Sequence, residues 1–174
     1  MLYVARSRKY GVEPSQIKYL NQDMRELSLP EKQDGIISIC DSMNYLLTVE
    51  GLYKTMLAAR NNLKPGGIFI FDLKTEHFYE NELYGKTFSE DMGDISYIWR
   101  NGYSTIDYIH RYYLEFHVCG KVIREMHRQR AFGATDIKKA ALTAGFTRTA
   151  VYDAFTVAKP RKISDRIYID MRNV

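Results

Sequence analysis

The sequence has few cysteines, prolines and tryptophans, and it has no long apolar run. Two of the 174 residues are cysteine, four are proline and one is tryptophan. Cys40 and Cys119 are far apart and form no CxxC pair, which argues against a zinc site or a disulfide scaffold and indicates a reducing compartment. No apolar stretch is long enough to span a membrane, and the N-terminus lacks the hydrophobic segment of a signal peptide. The sequence therefore predicts a cytoplasmic protein with no membrane partner.

The charge is not strongly one-sided. Lysine and arginine total 25 against 21 aspartates and glutamates, which gives a net charge of +4 and a pI near 8.9. The basic residues are scattered, whereas nucleic-acid-binding surfaces usually gather them into a patch, so nucleic acid is not expected as a partner. His110 and His117 would lie on opposite faces of one regular strand and cannot share an ion, so no metal site is expected.

Two near-continuous apolar runs, 35–40 and 68–71, are typical of parallel strands buried on both faces. Between them, Thr48 can cap a helix that ends near Pro65. Strand, helix and strand in this order predict a parallel βαβ unit. Other predicted elements are a helix over 1–10, a short strand at 17–20, a helix capped by Thr135, and strands at 150–155 and 163–171.

The hydrophobic period changes between residues 75 and 132. Ile95, Tyr97 and Trp99 alternate with polar residues, and a second alternating run begins at Tyr108 with His110 breaking its pattern. Asn101-Gly102 and Cys119-Gly120 are turn signals. We therefore predict an antiparallel β meander at 75–132, inserted into an α/β core formed by residues 1–74 and 133–174.

Three aspartates, Asp23, Asp41 and Asp72, follow the ends of predicted strands. Ligands of open α/β sheets bind outside the carboxyl ends of the strands. A carboxylate there can accept hydrogen bonds from ribose hydroxyls or an adenine amino group, or act as a base. An aspartate can also simply begin a turn by bonding nearby backbone amides, and both readings stay open.

Several motifs together resemble class I S-adenosylmethionine-dependent methyltransferases of the small-molecule type with an inserted antiparallel sheet. They are Asn-Gln-Asp-Met-Arg-Glu-Leu at 21–27, Asp-Gly-Ile-Ile-Ser at 34–38, Asp-Ser-Met-Asn-Tyr-Leu at 41–46, Leu-Lys-Pro-Gly-Gly at 63–67, His-Arg-Gln-Arg-Ala-Phe at 127–132 and Ala-Gly-Phe at 144–146. The resemblance covers essentially the whole chain. It implies a partial Rossmann-like sheet, because nothing here matches the family's first two strands, its Gly-rich loop or its ribose-binding acid.

The resemblance also implies roles for particular residues. S-adenosylmethionine would be the cofactor, with Asp23 bonding the adenine amino group and Met24 meeting the adenine ring. Asp41 and Ser42 would face its methionine end. Candidate acceptor contacts are Asn44, Tyr45, Trp99 and Arg130, all from the loop after 35–40 or from the insertion. The aromatic residues of the insertion could equally pack on the sheet, and Arg130 could be a solvated strand end.

The expected function is methyl transfer to an unidentified small-molecule acceptor, and the shortened chain is expected to bind the cofactor weakly. The alternative is a catalytically inactive interaction module with the same fold. A third hypothesis, an RNA-binding accessory, needs a basic face. Because the strand at 35–40 would have an open edge, we expect the chain to dimerise through it, to pair it with 17–20, or to be poorly soluble.

Overall fold

The two apolar runs become neighbouring parallel strands, as expected. The computed structural model describes residues 17–172. In it, β1 (Gln33–Ser38) lies parallel to β2 (Leu63–Lys74). Helix α1 (Val49–Asn62) connects them, and the Thr48 hydroxyl accepts a hydrogen bond from the Gly51 N–H at 3.0 Å. The predicted βαβ unit and its helix cap are therefore confirmed.

A second, antiparallel sheet follows β2 along the chain. Its strands are β3 (Thr87–Asp91), β4 (Ile95–Ser104), β5 (Ile109–Val118) and β6 (Lys121–Arg130), and they pair in that order. A π-helical turn, Phe78–Leu83, lies between β2 and β3. The sheet is the expected antiparallel meander, with one strand more than the sequence pattern indicated.

The chain then returns to the first sheet. Helix α2 (Ala134–Thr143) leads to β7 (Arg148–Asp153) and β8 (Arg166–Arg172). Strand β8 lies antiparallel to β2, and β7 lies antiparallel to β8, so the order of the first sheet is β1-β2-β8-β7. The mixed α/β architecture with a partial Rossmann-like sheet is therefore the observed fold.

The main core lies between the first sheet and its two helices. Alternate residues of β2 and β8 point to one face and bury there against apolar residues of α1 and α2. The fully buried members include Leu52, Met56, Phe69, Phe71, Leu73, Ile137, Ile169 and Met171. The opposite face of β1 is not covered by described residues, since Ile37 is 67% exposed. The expectation that β1 is buried on both faces is therefore wrong for the described part of the chain.

Some predicted boundaries differ from the structure. Residues 17–20 form no strand, so no pairing between them and β1 exists. Helix α2 begins after Gly133, which places Thr135 inside the helix rather than at its cap. The helix expected over residues 1–10 lies outside the described residues. Within residues 17–172, no helix combines the length and the apolar character needed to cross a membrane.

The turn expected at Asn101-Gly102 lies within β4. The N–H and the side-chain amide of Asn101 both donate to the Lys86 carbonyl, at 3.1 and 3.0 Å, which keeps this position in the sheet. The chain instead reverses at residues 105–108, where the Asp107 carboxylate accepts a hydrogen bond from the Ile109 N–H. The other expected turn, at Cys119-Gly120, is observed, and both residues have positive φ.

Candidate functional site

Asp41 lies just beyond the end of β1 in an unusual backbone conformation. Its φ is +52°, and the preceding Cys40 also has a positive φ of +60°. Residues other than glycine rarely adopt this region, and such positions concentrate at functional sites. The Asp41 N–H donates to the carboxylate of Asp72, which lies within β2 two residues before its end, at 3.1 Å. Two of the three predicted aspartates are therefore adjacent.

The Asp41 carboxylate joins the two sheets. Its Oδ2 accepts a hydrogen bond from Gln129 Nε2 of β6 at 3.0 Å, and its Oδ1 accepts one from Arg166 of β8 at 3.0 Å. Lys74 Nζ lies 3.4 Å from Oδ2. Burial alone would raise the pKa of Asp41, but the Gln129 hydrogen bond and the charges of Lys74 and Arg166 together lower it. Asp41 is therefore a fixed, ionised group between the two sheets.

Asp72 belongs to the same network, because its carboxylate bonds both Asp41 and Arg166. Its side chain is 3% exposed, and it forms an ion pair with Arg166. One guanidinium thus contacts both Asp41 and Asp72. Breaking a buried charge pair of this kind is costly, because the remaining charge stays desolvated.

Asp23 lies in a separate part of the structure. It caps the 3-10 turn Met24–Glu26, and its carboxylate accepts hydrogen bonds from the Arg25 N–H and guanidinium. The hydrogen bonds from Arg25 lower the pKa of Asp23 to about 2. Asp23 and Met24 line a cavity of about 440 Å³, the Asp23 cavity, whose other walls include Tyr45 and Leu46.

Asp41 lines a different cleft, of about 510 Å³, with Asp72 and Arg166. The expectation that Asp23 and Asp41 stand at the ends of two sheet strands on one shared rim is wrong for the described residues, because 17–20 is not a strand. Asp41 and the Asp23 cavity are connected through the chain instead. The segment that begins at Asp41 continues directly into Tyr45 and Leu46, which wall the Asp23 cavity.

The side chains of Asn44 and Ser42 form hydrogen bonds with the backbone. Asn44 is fully buried, and its amide donates to the carbonyls of Lys74 and Arg130 and accepts from the Lys74 N–H, at 2.8–3.1 Å. It therefore fastens β2 to β6, and its contact with the acceptor stays a prediction. The Ser42 hydroxyl donates to the Ile39 carbonyl at 2.7 Å.

Tyr45 begins a row of hydrogen-bonded side chains. Its hydroxyl bonds the Tyr112 hydroxyl and lies 3.1 Å from His127 Nδ1. His127 Nε2 lies 3.0 Å from the Glu125 carboxylate. The His127 ring stacks on the Tyr112 ring, with centroids 4.7 Å apart. Since a carboxylate only accepts, Nε2 carries a proton and donates to Glu125, and in the neutral imidazole Nδ1 accepts from Tyr45.

A third cavity, of about 130 Å³, lies where the second sheet meets the end of β2; we call it the joint cavity. Trp99, Tyr112, Lys74, His110 and Gln129 line it with two leucines. His110 is fully buried between Tyr79 and Tyr112. Burial, and then the charge of Lys74, lower the pKa of His110 to about 4, so it is neutral near pH 7.

Sequence reasoning named Trp99 and Tyr45 but missed Lys74, His110 and Gln129. The available signal for His110 was its break in the alternation of β5. Arg130, in contrast, does not line the joint cavity. Its guanidinium donates to the Asp107 carbonyl at 3.0 Å and lies near the rings of Tyr108 and Phe132, and its contact with the acceptor stays a prediction.

The chain has clear relatives. It is 31% identical over 175 residues to "Putative methyltransferase YqeM" of Bacillus subtilis (strain 168), a match that covers 97% of this chain and 69% of the relative. A relative of the same kind from Geobacillus sp. (strain WCH70) is 28% identical and is covered to 70%. No protein-family model matches the chain.

Solved structures agree. The fold matches an S-adenosylmethionine-dependent methyltransferase from Clostridium acetobutylicum ATCC 824 with a TM-score of 0.77 and 30% identity, over 87% of this chain and 62% of that one. The CcbJ methyltransferase from Streptomyces caelestis has the same fold, with a TM-score of 0.72 at 14% identity. The chain thus spans less than two thirds of these two solved structures.

Proposed function

Because the chain belongs to the S-adenosylmethionine-dependent methyltransferase family, we propose that it serves methyl transfer from this cofactor to a small-molecule acceptor. We propose that the adenine end of the cofactor occupies the Asp23 cavity and that the acceptor enters the joint cavity. The observation that carries the proposal is the position of Asp41. Its carboxylate accepts hydrogen bonds from Gln129 of the second sheet and from Arg166 of the first, so one fixed charge links the two sheets.

The Asp23 cavity has the chemistry that an adenine group requires. A carboxylate has about four lone-pair sites, and Arg25 uses three of them through its N–H, Nε and Nη2. One site on Oδ2 remains for an amino group. Met24 and Leu46 provide apolar surface for the ring, and about 440 Å³ accommodates it.

The joint cavity supports acceptor binding because it adjoins Asp41 through Gln129, which lines the cavity and bonds Asp41. When bound, S-adenosylmethionine supplies a methyl group on a positively charged sulfur. The work of the chain is to hold the acceptor in line with that group, and fixed orientation alone can contribute about 7–11 kcal/mol to lowering a barrier.

The hydrogen-bonded side chains Tyr112, Tyr45 and His127 offer a path for the proton that the acceptor loses. Tyr112 lines the joint cavity, so its hydroxyl can take a proton there while donating its own to Tyr45. Tyr45 in turn donates to His127 Nδ1, and Glu125 holds the imidazole in the required tautomer. A positioned base of this kind typically contributes about 10²–10⁴-fold to a rate.

The first test is calorimetric titration of the chain with S-adenosylmethionine. Asp23→Ala should weaken binding at least about tenfold, because a hydrogen bond to a charged group is worth about 1.5–3 kcal/mol. Arg25→Ala is the matched control. It removes the partner of Asp23 but leaves the carboxylate, so binding should be unchanged or tighter. Equal affinity of the Asp23→Ala variant and the unmodified chain would contradict the assignment of the adenine site.

A second candidate function is a catalytically inactive interaction module. The exposed strand β1 favours it, since Ile37 and Ile39 are 67% and 58% exposed at the edge of the first sheet as described. The same edge supports the proposal that the chain dimerises. The two functions separate in the titration above, because an inactive module need not bind the cofactor.

A further inference from the structure

The second sheet has an apolar face that runs away from the first sheet. Side chains two residues apart on a strand share a face, and so do directly opposed residues of neighbouring strands. The register of the four strands therefore puts eight apolar side chains on one face, which we call the meander face. They are Phe88, Ile95, Tyr97, Trp99, Leu114, Phe116, Val118 and Ile123.

The meander face is incompletely covered by residues 17–172. None of its eight side chains belongs to the two hydrophobic cores of this part of the chain. Phe88, Ile95 and Ile123 are 37%, 42% and 48% exposed. The opposite face of the same sheet carries Arg100, Arg111, Arg124 and Arg128. Antiparallel sheets commonly turn a polar face to water and pack the apolar one, so the meander face is a surface for a partner.

The charges on the meander face favour a second copy of the chain as that partner. Strand β6 places Lys121 and Glu125 on this face, each two residues from Ile123. When two such faces pack about a two-fold axis that crosses the strands at Ile123, each β6 lies antiparallel over the other β6. Lys121 then faces the partner's Glu125, and the symmetry forms this ion pair twice.

Both charges are available for this contact. Lys121 is exposed, and the Glu125 side chain is half exposed although its carboxylate bonds His127. A carboxylate that accepts one hydrogen bond keeps further lone pairs for a second partner. Glu90 lies at the opposite, exposed edge of the face, where it would meet its own copy with the charges screened by water.

The size of the meander face fits a dimer of modest affinity. Its three rows of side chains, from the row of Ile95 to the row of Trp99, cover roughly 20 Å along the strands, and four strands cover about 19 Å across. Two such faces bury on the order of 1,000 Å² of accessible surface, the lower end for a specific interface. A dissociation constant in the micromolar range is therefore expected.

We propose that the meander face is a homodimer interface in which two copies of the chain pack sheet on sheet. Two packed sheets of this kind lie about 10 Å apart, with their strands within about 30° of each other. Trp99 and Leu114 belong both to this face and to the lining of the joint cavity, so the interface borders that cavity. It is separate from the edge of β1, and it goes beyond the proposed methyl transfer.

The test is a charge exchange followed by sedimentation equilibrium at micromolar concentrations. Lys121→Glu alone and Glu125→Lys alone each put like charges opposite each other at both symmetric positions. Each variant should therefore dimerise at least about tenfold more weakly than the unmodified chain. An equimolar mixture of the two variants restores both ion pairs and should associate as tightly as the unmodified chain. Pairing through β1 does not involve these positions, so it contributes equally to every sample.

A second variant tests the centre of the interface. Ile123→Asp brings two carboxylates together at the symmetry axis in place of apolar contact, and it should abolish this dimer. Met126→Asp is the matched control, because Met126 is also exposed on β6 but lies on the opposite face of the sheet. Its dimerisation should be unchanged.

Three results would overturn the proposal. They are an unmodified chain that stays monomeric at all concentrations, a mixture of charge variants that associates no better than its components, and equal weakening by Ile123→Asp and Met126→Asp. Association that is lost in Ile37→Lys but kept in Ile123→Asp would assign self-association to the β1 edge alone, and it would also overturn the meander dimer.

Discussion

Asp41 and His110 are ionisable side chains held in opposite states. Both are largely buried, yet Asp41 is surrounded by Gln129, Lys74 and Arg166, which favour its charge, whereas His110 meets aromatic rings and a positive Lys74. The surroundings of Asp41 and His110 therefore decide whether each side chain is charged. The sequence could suggest Asp41 from its place after a strand, but it could not reveal partners 33 to 125 positions away.

His110 should make stability fall in mild acid. The pKa of His110 is lowered from 6.5 to about 4 in the folded chain. As the pH falls below 6.5, the unfolded chain binds the proton first, so the free energy of unfolding should decrease by up to about 3 kcal/mol between pH 6.5 and pH 4. Urea unfolding of the unmodified chain and of His110→Phe over this range measures the effect.

The comparison isolates one group, because Lys74, Tyr79, Tyr112 and the carboxylates of the chain are present in both proteins. His110→Phe should lack most of the slope between pH 6.5 and pH 4. Parallel pH profiles would show that His110 titrates in the folded chain as it does in the unfolded one.

At the scale of elements, Asn44 holds the two sheets together. It is the third residue after Asp41, and its amide bonds the backbone of Lys74 at the end of β2 and of Arg130 at the end of β6. These bonds place Gln129 where it reaches Asp41. The sequence showed Asn44 beside a predicted site, but a buried clamp and a substrate contact have the same local signature.

Asn44→Ala should destabilise the chain by about 2–4 kcal/mol, because three partly buried backbone groups lose the partner that Asn44 supplies. Asn81→Ala is the control. Asn81 is exposed and, among residues 17–172, its side chain bonds only His77 of its own turn, so its loss should change the free energy of unfolding by no more than about 0.5 kcal/mol. Denaturation in urea measures both, and similar losses for the two variants would rule out the clamp.

Predictability varied between elements for physical reasons. Helix α1 and strand β2 were foreseen because a capping threonine and a near-continuous apolar run are local signals. Strand β3 was missed because all five of its residues are exposed and show no alternation. The turn at 105–108 was missed because Asn101-Gly102 gave a stronger local signal, which the pairing with Lys86 overrides.

At the scale of the whole molecule, the first sheet presents an apolar edge. Strand β1 pairs only with β2 in the described sheet, and Ile37 and Ile39 are largely exposed. Exposed, apolar edge strands favour pairing with another chain. The sequence predicted this edge from the resemblance, although it also suggested that residues 17–20 would cover it.

Ile37→Lys should reduce self-association, because a lysine on an edge strand opposes pairing. Light scattering over a range of protein concentrations measures the effect. Ile106→Lys is the matched control, since Ile106 is 94% exposed but lies in the turn between β4 and β5. An unmodified chain that stays monomeric at all concentrations would refute association through β1.

The central claim is that the Asp23 cavity and the Asp41 segment serve one ligand, S-adenosylmethionine. The most direct measurement is an NMR titration of the ¹⁵N-labelled chain with the cofactor, following the amides of Met24, Asp41 and Ser42. We predict that all three signals shift along one saturation curve with a single dissociation constant. Shifts confined to Met24, shifts that saturate at different concentrations, or no shift at any of the three would contradict the account.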